Sequence, residues 1–262
     1  MPETWHHGVI ARYWAEFNTE GPEIEFFRRF IEDGGGPALD VACGTGRLLI
    51  PWLEAGLDVD GVDVSEDMLA LCRERAEREG LTARLYAQPM HEVDLPRRYR
   101  TIVVCGGLGV GSSRDRDLQV LRRLHHHLEP GGTVVLDNEV PYASPRLWPY
   151  WTAEGRSKLP EEWRPPGERR RGSDGTEYEL RSRCVSLNPL EQSATLEMEA
   201  RMWSGGELAA EETHSIDLMF YFRDELVLML ERAGFRDVSV RRGYDDAPAG
   251  PEDEFLVFSA KK

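Results

Sequence analysis

After the Gly34-Gly35-Gly36-Pro37 hinge the chain alternates short, β-rich apolar runs with longer amphipathic stretches, and this alternation narrows the fold more than any other feature. Strands separated by helices cannot pair as hairpins; they cross over and lie parallel in one sheet. The runs are ALDVAC (38–43), DVDGVD (58–63), ARLYAQ (83–88), TIVVCG (101–106) and TVVLDN (133–138). Met68, Leu71, Cys72 and Ala76 mark one helical stripe between them, and Leu118, Leu121, Leu124 and Leu128 mark another. Glu129-Pro130-Gly131-Gly132 ends the second helix and turns the chain into the fifth strand. The expected fold is α/β, a doubly wound and mostly parallel sheet. A chain of 262 residues buries roughly 70–75% of its unfolded surface, enough for a core without disulfide or metal support.

Ahead of the hinge, Ile10, Tyr13, Trp14 and Phe17, then Phe26, Phe27 and Phe30, recur at helical spacing around a Glu20-Gly21-Pro22 breaker, which predicts two N-terminal helices. Residues 139–172 are rich in Pro, Trp and Arg, follow neither period, and read as a loop-rich lid. Alternation returns at 177–187, from Ala194 to Met202 and from His214 to Phe222, with turns at Asn188-Pro189 and Ser204-Gly205-Gly206. These stretches predict an inserted antiparallel β meander whose apolar face must pack on something. A helix from Asp224 stopped by Gly234, then strands near 236–243 and 254–260, complete the chain. The expected division is a helical cover (1–36), a ligand-binding core (37–137), an inserted lid with a β substrate region (138–222) and the C-terminal part of the core sheet (223–262).

The sharpest chemical signal is Asp40-Val41-Ala42-Cys43-Gly44-Thr45-Gly46-Arg47, a strand entering a glycine turn and then a helix. Glycines there let a ligand approach backbone atoms that a Cβ would shield, beside a helix N-terminus. A dinucleotide fingerprint would place a third glycine where Leu49 stands, which disfavours NAD. Seventeen residues past Gly46, Asp63 ends the second strand, where a carboxylate can accept hydrogen bonds from both hydroxyls of a ribose.

These residues, with Gly61-Val62-Asp63-Val64-Ser65-Glu66-Asp67-Met68-Leu69 and Leu128-Glu129-Pro130-Gly131-Gly132, resemble the class I S-adenosylmethionine-dependent methyltransferases over 37–137 and, more loosely, 223–262. The resemblance implies a seven-stranded sheet and S-adenosyl-L-methionine as cofactor. It implies that Asp40, Ala42, Gly44 and Gly46 line the methionine moiety and that Asp63 holds the ribose. Val64 and Met68 would flank the adenine, and Gln88, Pro89 and Met90 would complete its pocket, with Gln88 in place of the family's usual acid. Cys105 and Gly106 would face the sulfonium, and Tyr13, beside Arg12, would approach the cofactor's carboxylate. Residues 1–36 and 138–222 lie outside the likeness, where such proteins carry substrate specificity.

A sulfonium methyl is already activated, so an enzyme of this class mainly holds the acceptor in line and keeps water out. Where the acceptor must shed a proton, Glu139, Tyr142, His214 and Tyr221 are the candidate bases near predicted strand ends. Asp137-Asn138 matches part of a magnesium set, but Cys105-Gly106-Gly107 supplies no carboxylate opposite, so no metal is expected. His125-His126-His127 point about 100° apart and cannot share an ion; they complement the helix dipole. The clusters Arg97-Arg98-Tyr99-Arg100 and Glu168-Arg169-Arg170-Arg171 read as solvated surface. Six tryptophans (Trp5, Trp14, Trp148, Trp151, Trp163, Trp203) fall outside the core, where they form an acceptor pocket or pack the lid.

With 32 basic and 47 acidic residues the chain carries −15, which repels polyanions, so neither nucleic acid nor membrane is an expected partner. Four dispersed cysteines and the lack of a signal-like segment fit a reducing cytoplasm. The reading is a methyltransferase acting on an O, N or C atom of a small molecule; the alternatives are a nicotinamide-dependent oxidoreductase and a non-catalytic S-adenosylmethionine-binding protein. An exposed meander can also pair two subunits, so a homodimer is compatible with the sequence.

Overall fold

The computed structural model describes residues 4–262. Helices α1 (Gly8–Phe17) and α2 (Glu23–Gly34) come first, parted at the Gly21-Pro22 breaker. The α/β run follows as β1 (Ala38–Val41), α3 (Leu49–Glu54), β2 (Val59–Asp63), α4 (Glu66–Arg78), β3 (Arg84–Ala87), β4 (Tyr99–Val104), α5 (Arg114–His127) and β5 (Leu128–Glu139). After an irregular stretch with the short α6 (Ala153–Arg156) come β6 (Arg170–Arg171), β7 (Glu177–Asn188), β8 (Ser193–Ser204) and β9 (Glu207–Met219). Helix α7 (Arg223–Ala233), β10 (Arg236–Arg242) and β11 (Phe255–Lys261) finish the chain.

The large sheet has seven strands in the order β3-β2-β1-β4-β5-β11-β10, parallel except for β11, which runs against both neighbours. Every residue of β1 is buried, as a central parallel strand covered on both faces requires. One face is covered by α2, α3 and α4 through Phe26, Phe27, Leu49, Trp52 and Cys72, packed on Val59, Val103 and Val135. The other is covered by α5 and α7 through Leu121, Leu124, Leu226 and Leu230, packed on Ile102, Val134 and Leu136. Ser65 caps α4 by accepting from Met68 N at 3.2 Å, and Gly234 stops α7 in the left-handed region.

The meander forms a second, four-stranded antiparallel sheet, β6-β7-β8-β9. Its apolar face finds its partner in α1 and the segment before it: Trp5, Val9 and Ile10 pack against Tyr178, Leu196, Met198 and Ile216. The third strand ends at Met219, not at Phe222 as the alternation suggested. Tyr221 leaves the sheet there because its ring is buried in the core and its hydroxyl donates to the buried Asp117. Pro130-Gly131-Gly132 belongs to β5, where the pairing with β4 shifts register between Tyr99 and Thr101.

Two basic features differ from expectation. Arg97 is not solvated surface: fully buried Asp60 accepts from Arg97 Nε at 2.8 Å, from Arg84 Nε at 2.6 Å and from Tyr99 Oη at 2.9 Å. A parallel strand edge that buries a carboxylate must surround it with donors. His127 serves its helix end as a neutral ring: it is buried, its pKa is lowered by desolvation, Nδ1 lies 2.9 Å from the Arg123 carbonyl, and Nε2 accepts from Leu95 N at 3.0 Å. The other cluster stays at the surface but is pinned, Arg169 lying 3.8 Å above the Trp203 ring and Arg171 pairing with Glu177 at 2.9 Å.

Replacing Asp60 by Ala leaves the buried Tyr99 hydroxyl without its acceptor and the two half-exposed guanidiniums with Asp58 alone. The expected loss is about 1–3 kcal/mol of stability in denaturant titration, the cost of a buried polar group left unpaired.

Candidate functional site

The C-terminal ends of β1, β2 and β4 splay around one cavity of about 250 Å³. The chain leaves β1 through Ala42 and Gly44, both at positive φ (59° and 53°), a path that turns backbone N–H groups inward. Gly44 N donates to Asp63 Oδ2 at 2.9 Å, and Ser65 N donates to Asp63 Oδ1 at 2.8 Å. One carboxylate at the end of β2 thus ties the β1 turn to the start of α4. Burial pushes the Asp63 pKa up against the pull of these N–H donors. A Cβ on Gly44 would come within 3.1 Å of Met68 Cε, so the glycine keeps the floor of the cavity open.

Asp40, 1% exposed, faces the same space, and its Oδ2 has no hydrogen-bond partner. Burial, and then the neighbouring Asp63, hold its carboxyl well above the usual carboxylate range. An orphaned buried oxygen of this kind is a place prepared for a donor that the protein itself does not supply. Beyond it, Arg47 pairs with buried Glu23, and its Nη2 lies 3.6 Å from Cys105 Sγ.

A similar tie holds the opposite wall. Gly106 N donates to Asp137 Oδ1 at 2.6 Å, and Tyr244 Oη donates to Asp137 Oδ2 at 2.9 Å. Asn138 Nδ2 donates to the Tyr221 carbonyl at 3.0 Å, so both side chains of the Asp137-Asn138 pair are engaged by the protein. A Cβ on Gly107 would come within 2.8 Å of Ala42 Cβ, so the β1 and β4 loops touch. Past them the β4 loop joins the second sheet: Met219 N donates to the Gly109 carbonyl and Gly111 N to the Asp217 carbonyl, each at 2.8 Å.

The N-terminal segment roofs the cavity with Thr4, His6, Trp14 and Asn18. It is held by Ser65 Oγ, which donates to the His6 carbonyl at 2.5 Å, by Gly8 N on Asp67 Oδ2 at 2.7 Å, and by Val9 N on Glu212 Oε2 at 3.1 Å. Thr4 Oγ1 lies 2.8 Å from His6 Nδ1, and burial with the nearby His7 lowers the His6 pKa to about 4. His6 is therefore a neutral imidazole at physiological pH.

Ten of the residues singled out in sequence come together here: Asp40, Ala42, Gly44, Asp63 and Val64 on one side, and Met68, Pro89, Met90, Cys105 and Gly106 on the other. The remainder lie elsewhere. A Cβ on Gly46 would press on Cys72 Sγ at 2.7 Å, so that glycine serves helix packing. Gln88 Oε1 accepts from Asp94 N at 2.9 Å and braces its own loop. Tyr13 packs on Phe17 and Tyr178 and accepts from Arg170 at 3.0 Å; one position on, about 100° around the helix, Trp14 takes the cavity face.

None of the four candidate bases lines the cavity. Glu139 is exposed at the last residue of β5, opposite Phe255, and Tyr142, 40% exposed, donates to the Asp253 carbonyl at 3.4 Å. His214 lies 3.2 Å from Glu212 on β9, and Tyr221 is committed to Asp117. Sequence reasoning missed Thr4, His6, Asn18, Arg47 and His91 as lining groups. Only the adjacency of Arg47 to the glycine turn signalled any of them.

Residues 38–132 match the family model described as a methyltransferase domain. Residues 38–132 thus form a methyltransferase domain, and the sheet order is the fold of the class I S-adenosylmethionine-dependent methyltransferases, whose cofactor is S-adenosylmethionine. Among curated relatives, the chain is 33% identical over 142 residues to dTDP-3-amino-3,4,6-trideoxy-alpha-D-glucopyranose N,N-dimethyltransferase of Streptomyces venezuelae, over 52% of this chain and 58% of that one. The chain thus spans little more than half of that relative's length. Among solved structures, the CcbJ methyltransferase of Streptomyces caelestis superposes with a TM-score of 0.74 at 22% identity, covering 99% of this chain and 98% of that one. The SAM-bound amino pentose methyltransferase CalS10 of Micromonospora echinaspora gives 0.64 at 20%, covering 100% and 99%.

Asp40→Asn removes a buried charge that lacks a partner, so the ligand-free variant is expected to melt higher, by about 2–4 °C per kcal/mol relieved. The raised pKa fixes the sign: the wild-type penalty is full above the folded pKa and fades as pH falls toward the unfolded carboxylate value. Melting curves of both proteins from neutral to acid pH should therefore converge.

Proposed function

We propose that this chain methylates an amine of a small molecule, with an amino sugar as the acceptor class. The carrying observation is the arrangement of Gly44 N, Ser65 N and Asp63 around the cavity, with the orphaned oxygen of Asp40 beside it. The cavity is roofed by α1 and small, which suits a small acceptor and not a polymer. The relatives support the class through their own names: a dTDP-amino sugar N,N-dimethyltransferase of Streptomyces venezuelae and an amino pentose methyltransferase of known structure.

In this reading Asp63 accepts from the ribose hydroxyls of the cofactor, and Asp40 takes a hydrogen bond from its ammonium, which relieves the unpartnered oxygen. Ala42, Gly44, Cys105 and Gly106 leave room for the aminoacyl chain, while Val64, Met68, Pro89 and Met90 clasp the adenine. When bound, the cofactor supplies a methyl group already activated on a sulfonium sulfur. The protein's own contribution is positional. The β1 and β4 loops are locked by Asp63 and Asp137, the roof excludes water, and His6, held neutral, can accept a hydrogen bond from the acceptor so that its lone pair is presented. A nicotinamide cofactor gains nothing from the orphaned Asp40 and would meet Leu49 where its third glycine belongs.

Calorimetric titration of the whole chain with S-adenosylhomocysteine and, separately, NADH tests this. Binding of the former alone is expected, and Asp63→Ala should weaken it by about 10–100-fold, the worth of two charge-assisted hydrogen bonds. Release of S-adenosylhomocysteine in the presence of nucleotide-linked amino sugars, and not of their hydroxyl analogues, would then place the acceptor. Binding of NADH alone overturns the reading.

A further inference from the structure

A second, open groove of about 350 Å³ lies on the outer side of His91, lined by His91, Gln119, Arg122, Arg123 and His126. His91 comes from the turn that packs on α5, and it also belongs to the wall of the main cavity. Positions 119, 122, 123 and 126 follow helical i, i+3, i+4, i+7 spacing, so the four α5 side chains share one face. All four are exposed.

Several arginines of the molecule are matched to acids: Arg84 and Arg97 to Asp60, Arg146 to Glu161, Arg181 to Glu199, Arg201 to Glu211. Among the described residues Arg122 and Arg123 have no carboxylate within ion-pair distance. At the helix end more positive charge gathers, since Arg98 and Lys262 both donate to the His126 carbonyl. After burial, Arg98 is a cause of the lowered Lys262 pKa, and Lys262 and His126 are causes of the lowered His125 pKa. Among the described residues, Glu92 lies 3.5 Å from His91 and Asp94 4.0 Å from His127, both largely exposed. Arg98 and Lys262 thus add positive charge at the helix end beside a groove lined by Arg122 and Arg123, on a chain of net charge −15.

We propose that the α5 groove binds a phosphate or diphosphate group. Two guanidinium forks on neighbouring positions of one face match phosphate oxygens in bidentate fashion, and the Gln119 amide and His126 imidazole beside them add donors. The site is too small and too isolated on an acidic molecule to track a nucleic acid backbone. The phosphate has two possible sources: the anionic end of the acceptor, whose other end passes His91 into the main cavity, or a free phosphorylated metabolite acting on the enzyme. Only the first source rests on the acceptor class proposed above; the groove itself does not.

The test is calorimetric titration of the full chain with inorganic pyrophosphate, for the wild type and R122Q/R123Q, at two salt concentrations. Saturable binding that weakens with salt, and falls by at least about tenfold in the double variant, is expected. Affinity for S-adenosylhomocysteine should stay within about twofold, because neither arginine touches the main cavity. That control separates failure of the groove from failure of the methyltransferase reading. Pyrophosphate raising the KM of a nucleotide-linked amino sugar identifies the acceptor's own phosphate; a changed rate with a phosphate-free amine identifies a free effector. The absence of saturable binding to the wild type, or equal binding to R122Q/R123Q, overturns the proposal. R123E, which reverses one charge and should abolish binding, keeps the test decisive if the double variant misfolds.

Discussion

The structure depends on the carboxylate of Asp63. Two strands of a parallel sheet end side by side, and the chain beyond each must turn away while leaving backbone donors directed inward. By accepting from Gly44 N and Ser65 N together, Asp63 fixes both turns at once. Its hold extends further, because Ser65 also caps α4 through Met68 N and fastens the roof through the His6 carbonyl. Floor and cover are therefore joined through three residues of one loop.

Asp137 does for the β4 side what Asp63 does for the β2 side, with Gly106 N and Tyr244 Oη as its donors. Asp137 is buried and Asp63 half-buried, and both have raised pKa values from desolvation, opposed by hydrogen bonds to the charged form. Asp40 between them lacks such compensation. That contrast separates the acids that hold the scaffold together from the one whose Oδ2 the protein leaves without a donor.

Much of this was legible in the sequence, for reasons that are physical. Strands β1, β2, β4 and the centre of β5 are runs buried on both faces, with β3 half-exposed at the sheet edge, and a buried run reads as a strand with little help from its neighbours. The glycine turn and Asp63 were legible because local spacing places them at neighbouring strand ends. What sequence could not give is direction. Tyr13 and Trp14 are equally aromatic and adjacent on a helix with an apolar stripe, and only the docking of α1 on the second sheet decides which faces the cavity. Tyr221 lies within the run of alternation from His214 to Phe222, yet the buried Asp117, a hundred residues upstream, draws it out of the strand. His6 lies before the first helix with no periodic context at all. Arg97 reads as surface until Asp60, on a strand whose partners are unknown in advance, requires donors.

The hydrogen bonds between Gly109, Gly111 and β9 have a consequence for how such a protein can be rebuilt. Because the last meander strand is zipped to the same loop that carries Cys105 and Gly106, the inserted sheet is not a detachable cassette. A graft that exchanges residues 138–222 for those of another scaffold would leave the 109–111 backbone without its pairing edge and reshape that wall of the cavity. A functional chimera must carry both segments as one unit, although more than twenty residues of helix and strand separate them in the chain.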